Sequence, residues 1–279
     1  HPLTTERIAD MQARQQLQVG ASDAADTDTA MAHAMLSARA RVLADPSVDT
    51  LRAAVAQAEL LISGRNASDL PQSPARQAGV LYAAAWSAGE LRDPVMAQKW
   101  WGRLQALVLA RPQAAYQVRL LGVELALSAG DAARALSLID LPVPSPGAAA
   151  AEKTPRAQNL LRARALTMAG KDGPAGAAQL LQVWLAEHPR DAQAWQLLAA
   201  ASTAQGQTLR AVRADAEAHA ARFDYAGARD RYAAAQDCFY KRFFRFADEN
   251  GIRPLTWIIH FQFITLCGCY AKFYRGGSR

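Results

Sequence analysis

At 279 residues and 51% hydrophobic, the chain can bury a sizeable core, and its length allows one large domain or two smaller ones. The formal net charge of +6 does not argue for nucleic acid: residues 238–279 hold +5 of it, and the body keeps only +1, a mixed surface that suits protein partners better than phosphates. No uncharged apolar run reaches the roughly eighteen residues of a membrane span, the nearest approach lying close to the C-terminal end. Much of the apolar fraction is alanine, which packs closely but buries little area per residue. Such a body needs many helices side by side rather than one thick core.

Residues 1–18, HPLTTERIADMQARQQLQ, read as a turn and a weakly amphipathic helix, with Thr4 as N-cap, Glu6 in the first turn, and Ile8 and Met11 on one face. Residues 19–30, small and acidic without an apolar period, read as a mobile linker. From Met31 to Leu43 and from Val48 to Ile62 the pattern is helical, broken at Asp45-Pro46, which predicts a first antiparallel pair. Residues 63–74 carry turn chemistry. A helix over 75–88 follows, with Tyr82 and Trp86 four apart, and then a partner over 94–110 carrying Trp100, Leu104 and Leu107.

Pro112 closes that unit; Gly122 falls ten residues later, and Gly130 turns the chain. Residues 141–155 are Pro-rich and read as a surface loop. Helices over 157–169 and 175–187 lead to HPRDAQAWQLLAAASTAQG, residues 188–206, the most regular stretch of the chain. There Pro189 stops one helix, Trp195 and Leu198 share a face of the next, Gly206 ends it, and Ala211 is the small residue at which the partner helix approaches. Ala199 falls ten after Pro189, as Gly122 does after Pro112, and that register places Arg134 where the later unit has Ala211. Helices over 208–221 and 225–236 complete the series. The spacing matches the tetratricopeptide pattern, so the expected fold is all-α: a right-handed superhelical stack of antiparallel helix pairs over 31–237, with an atypical C-terminal tail.

The tail, 238–279, has a different composition. Eleven of its 42 residues are aromatic, against ten in the preceding 237, and all three cysteines lie in it. The break points to a junction in the gene, with the tail an extension that replaces a natural C-terminal helix. The alternatives are a membrane-associating end built on 255–270 and a cap on the open end of the stack.

Catalytic signatures are missing from the 279 residues: there is no H-E-x-x-H, G-x-S-x-G or P-loop, and the five histidines are isolated from one another. Cys267-Gly-Cys269 lacks the spacing and the second pair of a zinc site. One trace of chemistry remains at the beginning. His1-Pro2 followed by Arg7-Ile8 resembles the His-Pro-x-x-x-x-Arg-Ile stretch that closes the catalytic domain of H-E-x-x-H zinc metallopeptidases. Residues 32–44, 188–198 and 217–237 resemble the tetratricopeptide-type region that follows this domain in the beta-barrel assembly-enhancing protease group of Gram-negative bacteria.

The resemblance implies that 1–30 are the end of a peptidase domain and its linker, and that the parent protein is a periplasmic zinc metalloendopeptidase acting in outer-membrane protein assembly and quality control. It also implies that His1 approaches the zinc only in the presence of the peptidase domain. This chain has no catalytic motif, so it is expected to be inactive alone and to hold no cofactor of its own. A free-standing repeat adaptor with no peptidase attached is the alternative.

In either case the expected partners are proteins or peptides, either outer-membrane assembly components or an upstream peptidase domain, and membrane contact is expected only through 238–279. The same register predicts a concave groove lined by Tyr116 and Arg119 in one unit and by Gln193 and Gln196 in another.

Overall fold

The computed structural model describes residues 23–63, 73–141 and 155–249, with side chains over 27–63, 73–141 and 155–237. All regular structure among the described residues is helical: α1 (Asp23–Ala44), α2 (Val48–Ser63), α3 (Pro74–Glu90), α4 (Pro94–Val108), α5 (Pro112–Ser128), α6 (Ala132–Ile139), α7 (Arg156–Ala169), α8 (Gly173–Glu187), α9 (Ala192–Ala204), α10 (Thr208–Ala221) and α11 (Tyr225–Glu249). Two compact units divide between Leu180 and Leu181, inside α8. Within each, helices adjacent in sequence pack on one another, as α3 does on α4, α5 on α6, α9 on α10 and α10 on α11.

The helix starts follow from residue chemistry. Pro74, Pro94 and Pro112 are the first residues of their helices, where a missing N–H costs nothing. Ser73, Asp93, Asp131 and Asp191 stand just outside α3, α4, α6 and α9 and accept a hydrogen bond from the N–H three residues on.

One corner recurs. The N–H of Asp93 donates to the carbonyl of Ala88, that of Asp131 to Ala126, that of Gln207 to Ser202 and that of Asp224 to His219, at 2.9–3.0 Å. In each case the residue before the donor has a left-handed backbone: Arg92, Gly130, Gly206 and Phe223, with φ between 59° and 78°. Four residues after each donor stands a buried alanine, Ala97, Ala135, Ala211 or Ala228, where the second helix presses on the first. The register expected from Pro112 put Arg134 in that place. The structure puts Ala135 there and leaves Arg134 exposed, because the chain takes eight residues from Gly122 to Gly130 but seven from Ala199 to Gly206.

The first unit is built around α3. Ten of the eleven residues from Ala78 to Ala88 are buried, so this helix is enclosed on all sides. Its small side chains allow the enclosure: a Cβ added to Gly79 would lie 3.0 Å from the carbonyl oxygen of Ala34 in α1. Tyr82, Trp86, Trp100 and Trp101 are all buried.

The beginning of the chain departs from expectation. Helix α1 starts at Asp23, inside the stretch read as linker, and the expected helix over 1–18 lies outside the described residues. The local sequence is a poor helix former, but tertiary contacts hold it. Asp28, 5% exposed, accepts hydrogen bonds from the backbone N–H groups of Gln113 and Ala114 at 3.0 and 2.9 Å. It thereby caps α5, whose own N-cap residue, Arg111, makes no side-chain cap bond.

Eleven residues further along both helices, Arg39 donates two hydrogen bonds to the Glu124 carboxylate, at 2.8 and 3.0 Å, and a third at 3.3 Å to the Tyr82 hydroxyl. Burial opposes the charge on Arg39, but the bonds and attraction from Glu124 outweigh it and raise the guanidinium pKa. Burial also pushes the Tyr82 phenol up, partly offset by Arg39.

Helix α1 is thus fastened to α3 and α5. Its close packing is with these helices rather than with α2, the partner expected for it. Between α1 and α2 an open groove of about 660 Å³ runs over α3, lined largely by alanines such as Ala38 and Ala83. At the other end, α11 runs unbroken through position 237 to Glu249, since after Gly227 no Gly or Pro interrupts the sequence before Gly251. Residues 250–279 lie outside the described residues.

Replacing Asp28 by Ala should cost about 1–2 kcal/mol, the usual range for loss of a strong N-cap. Urea unfolding followed by far-UV circular dichroism reads this directly. An unchanged midpoint would mean that α1 is held by burial of Met31 and Met35 alone.

Candidate functional site

The four expected groove residues divide between the two units. In α5, Arg119 is 9% exposed. Its guanidinium stacks on the Tyr116 ring at 5.3 Å and donates to the Leu141 carbonyl at 2.6 Å. Burial lowers the Arg119 pKa and raises that of the Tyr116 phenol. These two therefore face inward and hold the end of α6 and the residues after it.

In α9, Gln193 and Gln196 are exposed, three residues apart on one face. The neighbouring corner is a packed one. Trp184 donates to Asp191 at 3.0 Å and stacks on His188 at 3.9 Å, while Trp195 donates to the Pro189 carbonyl at 2.8 Å. His188, one residue past the end of α8, is thus an aromatic partner. His1 lies outside the described residues.

A concave surface of the first unit lies elsewhere, at the corners. A cleft of about 990 Å³ lies between the α3–α4 corner and the α5–α6 corner, with Arg164 of α7 on its rim. Its floor is Trp101 against Gly122. The indole N–H donates to the Val118 carbonyl at 2.8 Å, and a Cβ on Gly122 would come within 2.5 Å of the ring, so only glycine lets the ring lie flat there. Over this floor sits Arg134, its guanidinium 5.6 Å from the ring centroid and bonded to the Gln98 side chain at 2.7 Å.

Arg92 lines the α3–α4 side, carried on a left-handed backbone that a side chain makes unfavourable by about 1–2 kcal/mol relative to glycine. Two carboxylates also line the cleft. Asp131 is engaged in capping α6, and Glu90 is exposed at the end of α3. Neither forms an ion pair with Arg92, Arg134 or Arg164, and among the described residues these three have no acidic partner. Elsewhere in the same unit, Arg39 and Arg162 are paired with Glu124 and Asp140.

The register from Pro112 puts Arg134 as a misfit in a small-residue position, and Arg92 and Arg164 belong to no motif of the sequence. The signal for Arg92 was available as an arginine where the equivalent corners carry Gly130 and Gly206.

No protein-family model matches the chain, and no match to it was found among curated proteins. Among the described residues no three His, Cys, Asp or Glu side chains come together in a way that could hold a metal ion. No described helix is long and apolar enough to cross a membrane.

Because Arg119 serves the packing of α5 and α6, Arg119→Met should lower stability by about 1–2 kcal/mol through the lost bond to Leu141. Differential scanning calorimetry checks this; an unchanged melting temperature would return Arg119 to the role of a surface side chain.

Proposed function

We propose that the chain is a protein–protein interaction scaffold of tetratricopeptide type, its helix pairs continuing as a right-handed superhelical stack. The recurring corner, with its left-handed residue and buried alanine four positions after the donor, supports the repeat reading. The observation that carries the interaction reading is the corner cleft: a concave surface of about 990 Å³ with a buried tryptophan as its floor and three arginines without acidic partners around it. The inner surface between α3 and α5 is less suited to a partner, because α1 packs against both. In this reading the partner sits where the chain turns, and the first helices of the pairs hold the cleft rigid.

The resemblance at His1-Pro2 and over 32–44, 188–198 and 217–237 extends the proposal. The scaffold is the non-catalytic region of a periplasmic zinc metalloendopeptidase that handles outer-membrane proteins during assembly. On this view the zinc and the peptide-bond chemistry belong to the peptidase domain, and this chain supplies recognition.

Val95 lines the cleft and is 77% exposed, so a photo-crosslinking amino acid there would probe it without disturbing the core. In envelope preparations, adducts identified as outer-membrane barrel components are expected from position 95 and not from Arg52, an exposed residue of α2 outside the cleft. Equal yields from the two positions, or none from either, would remove the cleft from the proposal.

A further inference from the structure

We infer that the corner cleft recognises an acidic peptide segment of its partner, with Arg92, Arg134 and Arg164 binding carboxylate side chains above the Trp101 floor. This deepens the interaction reading and rests on it. Three observations carry it.

First, the cations are unmatched. Three arginines line one concavity, and the two carboxylates that share it, Glu90 and Asp131, pair with none of them. Guanidinium groups present forked donors that fit carboxylates in two-point geometry, so an unmatched set is ready for an anion. Second, Arg134 is held in place before any ligand arrives. The bond to Gln98 and the stack over Trp101 fix its orientation, which reduces the ordering cost of binding.

Third, Arg92 stands on a left-handed backbone, where the α5–α6 and α9–α10 corners have Gly130 and Gly206 and the α10–α11 corner has Phe223. A long charged side chain there is unfavourable for the fold, and at this corner it adds a cation to the lining of the cleft. The body as a whole carries only +1, so the three arginines of the cleft, set beside Glu90 and Asp131, are not part of a basic face of the kind that tracks a nucleic-acid backbone.

The test uses the full 279-residue chain and fluorescence anisotropy with two labelled peptides, Gly-Glu-Glu-Leu-Glu-Glu-Gly and its counterpart with Gln in place of each Glu. The glutamate peptide should bind about tenfold more tightly at low ionic strength, with the advantage shrinking as salt is added. Arg92→Gly should weaken that binding roughly fivefold while raising the melting temperature by about 3 °C, because it removes a charge and relieves a strained backbone together. Arg164→Gln should weaken binding without changing the melting temperature, and Arg52→Gln, a charge loss outside the cleft, should change neither.

Equal binding of the two peptides, still lost in Arg92→Gly, would sink the acidic class and leave the interaction reading standing. Binding of neither peptide by the folded chain would sink the cleft as an interaction site. An Arg52→Gln effect as large as that of Arg92→Gly, or tighter binding of a single-stranded oligonucleotide than of the glutamate peptide, would also overturn the proposal.

Discussion

The first unit depends on helix axes approaching more closely than ordinary side chains allow. Helix α3 is enclosed because it presents alanine and glycine nearly all the way round, and Gly79 sits almost on the backbone of α1. Alanine surfaces lose little side-chain entropy on packing but also bury little area each, so the enclosure must be complete to be worth having. The few large residues, Tyr82, Trp86, Trp100 and Trp101, then fill the spaces that close-packed alanines cannot. The buried alanine four positions after each corner is the same device applied to helix pairs in both units.

Close packing has a consequence for the polar groups. Once α1 lies against both α3 and α5, the free N–H groups at the start of α5 cannot turn to water, and Asp28 supplies the acceptors from 85 residues away in sequence. Arg39 and Glu124 solve the same problem at the other end of the contact, each satisfying the other in two-point geometry with Tyr82 as a further acceptor. These paired groups fix the axial position of α1 against α5, which apolar packing alone leaves free to slide. The surface between α3 and α5 is thereby closed, and the arginine-lined cleft of this unit lies at its corners.

What the sequence made legible is local in origin. Proline starts, aspartate caps, glycine corners and the alanine-rich composition each act within a few residues, and they lead to an all-helical chain of packed neighbours. What escaped has long-range causes. The Asp/Ala/Thr run from Asp23 reads as linker because its helical state depends on α5. The pairing of α1 with α3 in place of α2 is decided by small residues that meet only in three dimensions. Arg134 was misplaced by one position because two units differ by one residue in the reach from small residue to corner glycine, a difference that matters fully to which face a side chain occupies. The cleft itself was out of reach, since it is made by four helix ends and the rim of a fifth helix.

Arg92 shows how fold and function separate on one residue. Every other feature of its corner serves stability: the Ala88 carbonyl accepts from Asp93, Asp93 caps α4, Pro94 opens it, and Ala97 lets it pack. Within that consistent set the left-handed position alone is filled against local preference. Phe223 is the parallel case in the other unit, a 73% exposed aromatic residue held on a left-handed backbone at the α10–α11 corner. Backbone strain of this kind persists only where the surrounding hydrogen bonds determine the turn more strongly than the residue opposes it, and all four corners provide the same bonds. A corner this well determined is tolerant at one position, and that tolerance is what lets a helical scaffold carry a recognition side chain where its chain turns without redesigning the turn.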